Sequence, residues 1–94
     1  MSLSPRIGTI LLFVNNMHYV YVLKSQKDGK FYTGYTNDLK RRFEDHQLGK
    51  ATSTKHRLPF DLVYYEAGLS KFKALKREKH FKTGFGRKFL KNRI

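Results

Sequence analysis

The sequence predicts a single α+β domain in which a small antiparallel three-stranded sheet is flanked by helices. Three observations support this prediction. β-Branched and aromatic residues fill three short runs, a strong turn signal separates the first two runs, and apolar residues at helical spacing mark other segments. The predicted order of elements is β-β-α-β-α-α, with the helices packed against the sheet. The 94 residues suffice for one compact domain.

The first two strands are predicted as a hairpin. Residues 18–24 (HYVYVLK) are rich in β-branched and aromatic side chains, which is typical of a buried strand. The dipeptide Asp28-Gly29 favours a tight turn, so residues 30–35 are expected to return antiparallel to the first strand.

The first helix is predicted to follow this hairpin directly. Asn37 is a good N-cap with Asp38 in the first turn, and Gly49 is a typical stop. The residues at spacing i, i+3, i+4 and i+7 are Leu39, Arg42, Phe43 and His46. The helix therefore places two polar side chains, Arg42 and His46, on its core-facing side.

The second half of the chain is predicted to add one strand and two helices. Residues 50–60 are polar and predict a loop, and residues 61–67 return to strand character. Ser70 is expected to cap a second helix that Gly84 ends, and a short basic helix spans about 87–93. The apolar face of the second helix is predicted to comprise Phe72, Ala74, Leu75 and Phe81.

The charge of the chain indicates a polyanionic partner. There are 20 Lys and Arg residues against 7 Asp and Glu residues, which gives a formal net charge of +13. Such a domain attracts nucleic acid through counterion release. A solubility surface or an anionic membrane surface is the alternative, but a surface that serves only solubility usually mixes both signs.

The first 16 residues are predicted to lie outside the domain, which covers residues 17–94. They form an extension, an added strand, or a segment upstream of a true start at Met17. Their apolar run, 7–14, is too short for a membrane span, which needs roughly 20 residues. The chain has no cysteine, which excludes disulfides and a thiolate zinc site and fits a cytoplasmic location.

Glu78 is the most informative single residue. Between Ala67 and Ile94 there are ten Lys or Arg residues and only this one acid. Helical spacing from Ala74 and Phe81 places it at the buried edge of the second helix, where a carboxylate needs a partner. That partner is either a basic neighbour in an internal salt bridge or a hard divalent cation.

Arg42 and the tyrosines of the hairpin admit two interpretations as well. The stem of Arg42 either packs along the core with a solvated head, or its planar fork stabilises charge on a phosphate. Tyrosines stand at positions 19, 21, 32 and 35. In strands such residues most often serve packing, so the hairpin alone does not assign them a chemical role.

Taken in order, these residues resemble the signature of the GIY-YIG nucleases. Segment 19–21 (YVY) resembles the first motif, and segment 32–34 (YTG), whose tyrosine stands eleven residues after Tyr21, resembles the second. Arg42 follows ten residues past the second tyrosine, His46 four residues further, and Glu78 lies in a later helix. The likeness covers residues 18 to about 92 and is closest to small stand-alone bacterial GIY-YIG proteins. It extends more distantly to the N-terminal nuclease domain found in the bacterial ABC excinuclease.

The resemblance implies the GIY-YIG fold and a set of site residues. The implied catalytic residues are Tyr21, Tyr32, Arg42, His46 and Glu78. Glu78 is also the implied ligand of one divalent ion, Mg²⁺ or Mn²⁺. The predicted nucleic-acid contacts are Gly34, Lys55, Arg57, Lys79 and Lys82. One departure is Tyr35, which stands where some relatives have a lysine that would favour efficient catalysis.

The function that the resemblance implies is metal-dependent endonucleolytic hydrolysis of DNA, in repair or recombination. Tyr32 is the expected base or water-orienting group, and Tyr21 shares or relays its proton. A cation such as Arg42 would favour the phenolate form of a tyrosine. The alternative is a weak or inactive binding module of the same fold. Specificity is expected from DNA shape, a protein partner or self-association, with no membrane partner.

Overall fold

A three-stranded antiparallel sheet organises the protein, and the computed structural model describes residues 17–93. The strands are β1 (His18–Ser25), β2 (Phe31–Thr36) and β3 (Phe60–Gly68). Their order in the sheet is β2-β1-β3, so β1 is central and pairs antiparallel with both neighbours. The predicted α+β class and the order β-β-α-β-α-α are confirmed.

The hairpin between β1 and β2 forms as its turn signal predicts. Gly29 has a φ of +70°, a left-handed conformation that glycine adopts without a steric penalty. The carboxylate of Asp28 accepts a hydrogen bond from the backbone N–H of Lys30 at 2.9 Å. β2 begins one residue later than predicted and runs to Thr36, which pairs with Tyr19.

Helix α1 (Leu39–Gln47) follows, and its cap differs from the predicted one. The N-cap is Asp38, whose side chain accepts a hydrogen bond from the backbone N–H of Arg41. The prediction of Asn37 as the cap was therefore wrong by one residue, because an aspartate carboxylate serves equally well there. Gly49, with a φ of +73°, follows the end of the helix as expected.

Helices α2 (Lys71–Phe81) and α3 (Gly84–Arg93) complete the fold. Ser70 caps α2 as predicted, accepting from the N–H of Lys73. α3 begins three residues earlier than expected, because the Thr83 hydroxyl accepts from the N–H of Gly86 and supports the first turn. No helix among residues 17–93 is long and apolar enough to cross a membrane.

The sheet lies between two hydrophobic clusters. One cluster, on the face covered by α2 and α3, has as its buried residues Val20, Val22, Ala74, Phe81 and Leu90. The other, on the face covered by α1, has Tyr21, Leu23 and Phe60, with Leu39 and Phe43 packed against them. Alternation along β1 thus sends Tyr21 towards α1 and its neighbours Val20 and Val22 towards the other helices.

The predicted apolar face of α2 is only half correct. Ala74 and Phe81 are buried, but Phe72 is 70% exposed and Leu75 is 37% exposed. Ala74 and Phe81 stand two helical turns apart and share the face that meets the sheet, whereas Phe72 and Leu75 project from other sides of α2. The proposed extension of residues 1–16 lies outside the described residues.

Candidate active site

Tyr21 lies at the centre of the candidate site. It stands on the central strand opposite Gly34, and its ring is buried against that glycine. A Cβ atom at position 34 would overlap the ring and the hydroxyl oxygen of Tyr21. The absence of a side chain at Gly34 therefore makes room for Tyr21, and the predicted contact of Gly34 with nucleic acid stays a prediction.

His46 fixes the Tyr21 hydroxyl from the α1 side. Its side chain is fully buried, and its Nε2 atom lies 2.9 Å from the Tyr21 hydroxyl oxygen. Burial, reinforced by the positive charge of Arg42, lowers the pKa of His46 to about 4. His46 is consequently neutral at pH 7, so one ring nitrogen donates a hydrogen bond and the other accepts one.

Thr54 is a site residue that the sequence did not reveal. It belongs to the loop between α1 and β3, yet it is fully buried, and its hydroxyl lies 2.7 Å from Nδ1 of His46. The same hydroxyl donates a long hydrogen bond, 3.5 Å, to the carbonyl of Ala51. A threonine in a polar loop gives no sequence signal of this kind, because only the folding of the loop over α1 buries it.

Arg42 adjoins the same phenol. Its guanidinium interacts with the Tyr21 hydroxyl and lowers the pKa of that group, while burial of the ring raises it more strongly. The net result is a raised pKa, so Tyr21 holds its proton at neutral pH. Arg42 thus favours the phenolate form of Tyr21 as expected, but desolvation of the phenol has the larger and opposite effect.

Tyr32 forms the second phenol of the site. It lies on the edge strand β2 and is partly exposed. Its ring packs edge-on against His46, with 5.2 Å between centroids, and lies 6.4 Å from the ring of Tyr21. The two signature tyrosines thus share one histidine, but only Tyr21 is sealed from solvent.

Glu78 approaches from helix α2. Its side chain is 20% exposed, and its Oε2 atom lies 3.4 Å from Nζ of Lys82, one helical turn further on. Its charge also raises the pKa of Tyr21, by less than burial of the phenol does. The predicted salt bridge therefore exists, but its length and the 55% exposure of the Lys82 side chain make it weak. Both interpretations of Glu78 remain compatible with this geometry.

The donor set fits a magnesium-type ion held mainly by water and substrate. Within residues 17–93, no three His, Asp or Glu side chains converge on one point. Glu78 alone would provide one carboxylate ligand at the site. Mg²⁺ commonly binds proteins through one or two carboxylates while keeping several waters and phosphate oxygens. Glu78, a partly exposed carboxylate in weak contact with Lys82, suits this mode of magnesium binding.

The sequence and the fold identify the family of this site. The GIY-YIG catalytic domain matches residues 17–92. The chain belongs to the GIY-YIG family. It is 48% identical over 67 residues to a UPF0213 protein of Bacillus pumilus, covering 70% of this chain and 67% of that one. It is 47% identical over 75 residues to a UPF0213 protein of Staphylococcus saprophyticus, covering 79% of this chain and 90% of that one.

A solved structure agrees with this assignment. The solution NMR structure of a UPF0213 protein from Bacillus halodurans has a TM-score of 0.52 and 40% sequence identity. It covers 81% of this chain and 83% of that chain. The resemblance to GIY-YIG proteins and the GIY-YIG fold are thus confirmed, and the chain carries a catalytic domain of a nuclease family.

The departure at Tyr35 from some GIY-YIG sequences leaves this site intact. The Tyr35 hydroxyl lies 2.7 Å from Nδ1 of His18, and the two rings stack. Tyr35 packs on the cluster covered by α2 and α3, opposite to Tyr21. The residue after the signature glycine therefore faces away from the two signature phenols in this chain.

The predicted nucleic-acid contacts fall into two groups. Lys55 and Lys79 are exposed, and Lys82 adjoins Glu78. Arg57 instead holds the loop to the hairpin: its Nε donates to Asp28 at 2.8 Å, and its Nη2 donates to the carbonyl of Lys30 at 3.1 Å. The role of Arg57 as a phosphate contact stays a prediction, and the occupied guanidinium gives it no support.

Proposed function

We propose that this chain is a metal-dependent endonuclease that hydrolyses phosphodiester bonds in DNA. The observation that carries the proposal is the meeting of two phenols, a guanidinium and a single carboxylate beside one edge of the sheet. Tyr21 is hydrogen-bonded to His46, and the charge of Arg42 acts on the Tyr21 phenol. Tyr32 packs on His46 and lines one hollow together with Lys82, which contacts Glu78. A basic surface would attract the polyanionic substrate.

The hydrogen bonds around Tyr21 have a preferred direction. The Thr54 hydroxyl donates to the carbonyl of Ala51 and so accepts from Nδ1–H of His46, which leaves Nε2 of the neutral ring to accept from the Tyr21 hydroxyl. This series of hydrogen bonds holds a protonated Tyr21 in a fixed orientation, so we assign Tyr21 as the residue that positions His46, on which Tyr32 packs, rather than as the base.

Tyr32 is the signature tyrosine that solvent can reach. It is partly exposed and can meet a water molecule, whereas Tyr21 is sealed. We assign Tyr32 as the group that orients or deprotonates the attacking water. The guanidinium of Arg42 would stabilise negative charge that develops on the phosphoryl oxygens, since a planar fork matches phosphate geometry.

Glu78 would hold the divalent ion. A bound Mg²⁺ or Mn²⁺ supplies neutralisation of charge on the phosphate and the leaving oxygen. Before the ion binds, Lys82 keeps the carboxylate of Glu78 near the phenols by a long contact. Because this contact is weak, it does not prevent Glu78 from turning to a stronger cationic partner.

We place this activity in DNA repair or recombination in the cytoplasm. We propose that DNA shape, a protein partner or self-association selects the DNA target. Backbone contacts from Lys and Arg position a substrate without reading its sequence.

The test of this function is the Glu78→Gln variant, with Glu44→Gln as a matched control on the exposed surface of α1. Nicking of supercoiled and linear DNA is measured in Mg²⁺, in Mn²⁺ and in EDTA. We expect Glu78→Gln to reduce cleavage by on the order of 100-fold or more, and gel-shift affinity to stay within about threefold. Cleavage by Glu78→Gln at the wild-type rate would contradict the metal assignment. Binding without cleavage by the wild type in either metal would indicate the inactive module.

A further inference from the structure

A basic channel leads away from the candidate active site along helix α3. Two adjoining hollows form it, and both are lined by Phe31 and Arg87. The first hollow also contacts Tyr32 and Lys82. The second, of about 730 Å³, exceeds the space that a single bound anion fills, and its further basic residues are Lys24, Lys30 and Lys91. We call the two hollows together the α3 groove.

One end of the α3 groove lies beside the proposed reacting groups, Tyr32 and Glu78. Tyr32 lines its first hollow, and Lys82 of the same hollow contacts Glu78 at 3.4 Å. A DNA strand whose scissile phosphate lies between Tyr32 and Glu78 can therefore enter the groove directly. Arg87 and Lys91 stand four residues apart on α3, so they line one face of that helix in succession.

The charge of the α3 groove is not neutralised by the protein. The lining residues include no carboxylate, and within residues 17–93 no acid pairs with Lys24, Lys30, Arg87 or Lys91. Two acids near its far end have other partners. Asp28 pairs with Arg57, and that contact holds the pKa of Asp28 at about 2. Asp61, opposite Lys24 in the sheet, accepts from Gln26.

We propose that the α3 groove binds the phosphate backbone of the DNA strand that flanks the scissile phosphate. This proposal rests on the proposed function, because it takes the site between Tyr32 and Glu78 as the place of cleavage. Arg57, in the loop before β3, is occupied by Asp28, whereas the groove offers several unpaired cations in sequence. Arg57 supports the groove indirectly, because it neutralises the carboxylate of Asp28 in the hairpin turn.

The test compares two triple variants with the same change in net charge. The groove variant carries Lys24→Gln, Lys30→Gln and Lys91→Gln. The control variant carries Lys40→Gln, Lys50→Gln and Lys73→Gln, three exposed lysines outside the groove. All six positions are exposed, and circular dichroism checks that both variants fold. Affinity for a labelled DNA duplex is measured by fluorescence anisotropy in EDTA at several salt concentrations, so no turnover is required.

We expect the groove variant to bind about tenfold more weakly, with the slope of log affinity against log salt reduced by about 2 to 3. The control variant should stay within about threefold of the wild type. Equal losses in both variants would overturn the proposal, because binding would then follow net charge alone. A groove variant that binds like the wild type would overturn it as well.

The two proposals fail in different ways. If the wild type binds DNA through the α3 groove but does not cleave it in Mg²⁺ or Mn²⁺, the result supports the groove as a DNA-binding surface and contradicts the nuclease function. If Glu78→Gln abolishes cleavage while the groove and control variants bind DNA equally well, the result supports the nuclease function and contradicts DNA binding in the α3 groove.

Discussion

The two sides of the candidate site differ in how firmly other side chains of the protein hold their residues. The buried wall consists of Tyr21, His46 and Thr54, all of which are sealed from solvent and linked by hydrogen bonds of 2.7 and 2.9 Å. The exposed wall consists of Glu78 and Lys82, which share one contact of 3.4 Å, together with Tyr32. Within residues 17–93, no buried side-chain nitrogen or oxygen lacks a partner.

This difference indicates that the chain organises one half of the site in advance and leaves the other half to its ligands. Hydrogen bonds in a buried wall fix side-chain orientation before substrate arrives, which lowers the reorganisation needed during reaction. The exposed wall can accept an ion and a phosphate, because the contact between Glu78 and Lys82 is weak. Variants of the buried wall should therefore affect stability and cleavage together, and variants of the exposed wall should affect cleavage alone.

The largest combined effect on stability and cleavage is expected for Gly34→Ala. The new methyl group would overlap the ring of Tyr21, so the phenol must move out of its hydrogen bond with His46. We expect a loss of about 1–3 kcal/mol in the free energy of unfolding and a loss of cleavage on the order of 100-fold. Gly68→Ala is the control, because a Cβ at position 68 meets nothing within 4 Å. Equal stability and activity of the two variants would refute the packing role of Gly34.

The next effect is a pH dependence of stability that originates at His46. Its pKa is about 4 in the folded protein against an ordinary value of 6.5, so the unfolded chain takes up this proton first as pH falls. The associated stabilisation is present above about pH 6.5 and is lost progressively towards pH 4. It amounts to about 3 kcal/mol at about 1.4 kcal/mol per pKa unit.

Urea unfolding of His46→Gln at several pH values measures this effect. The stability advantage of the wild type over the variant should shrink as pH falls from about 7 to about 4. The exposed His80→Gln variant serves as the control and should show no comparable trend. A constant difference between wild type and His46→Gln across that range would contradict the neutral, buried state of His46.

A smaller effect is expected for Thr54→Val, which keeps the shape of the side chain but removes its hydroxyl. The Nδ1–H of His46 then lacks an acceptor, which costs about 1–3 kcal/mol of stability. We also expect the proton of His46 to shift towards Nε2, visible in the ¹⁵N chemical shifts of the ring. Thr54→Ser keeps the hydroxyl and should restore the wild-type tautomer. An unchanged tautomer in Thr54→Val would show that Thr54 only packs.

Most of the fold was predictable because its signals are local. The Asp28-Gly29 turn, the β-branched run of β1 and the cap at Ser70 each act within a few residues, and all appear where the sequence indicates. Phe72 and Leu75 were wrongly assigned to the apolar face of α2, because residue type alone was followed and both lie off the side that Ala74 and Phe81 share. The early start of α3 arises from a single side-chain contact.

The candidate site was predictable in its residue types and not in its electrostatics. The order of tyrosines, Arg42 and Glu78 along the chain predicts the candidate side chains, and their catalytic roles stay a prediction. The sequence does not show that Tyr21 is buried while Tyr32 is partly exposed, and burial is what raises the pKa of Tyr21. Thr54 and the pairing of Arg57 with Asp28 depend on how one polar loop folds back onto the hairpin and α1.

The most direct measurement of the central claim concerns the hydroxyl of Tyr32. Single-turnover cleavage of DNA in Mn²⁺ is compared for the wild type, Tyr32→Phe and the control Tyr65→Phe, in which an exposed tyrosine of β3 changes. We predict that Tyr32→Phe cleaves on the order of 100-fold more slowly, with affinity and stability near wild type, and that Tyr65→Phe is unaffected. Equal rates for both variants would show that the Tyr32 hydroxyl takes no part in cleavage and would contradict the proposed site.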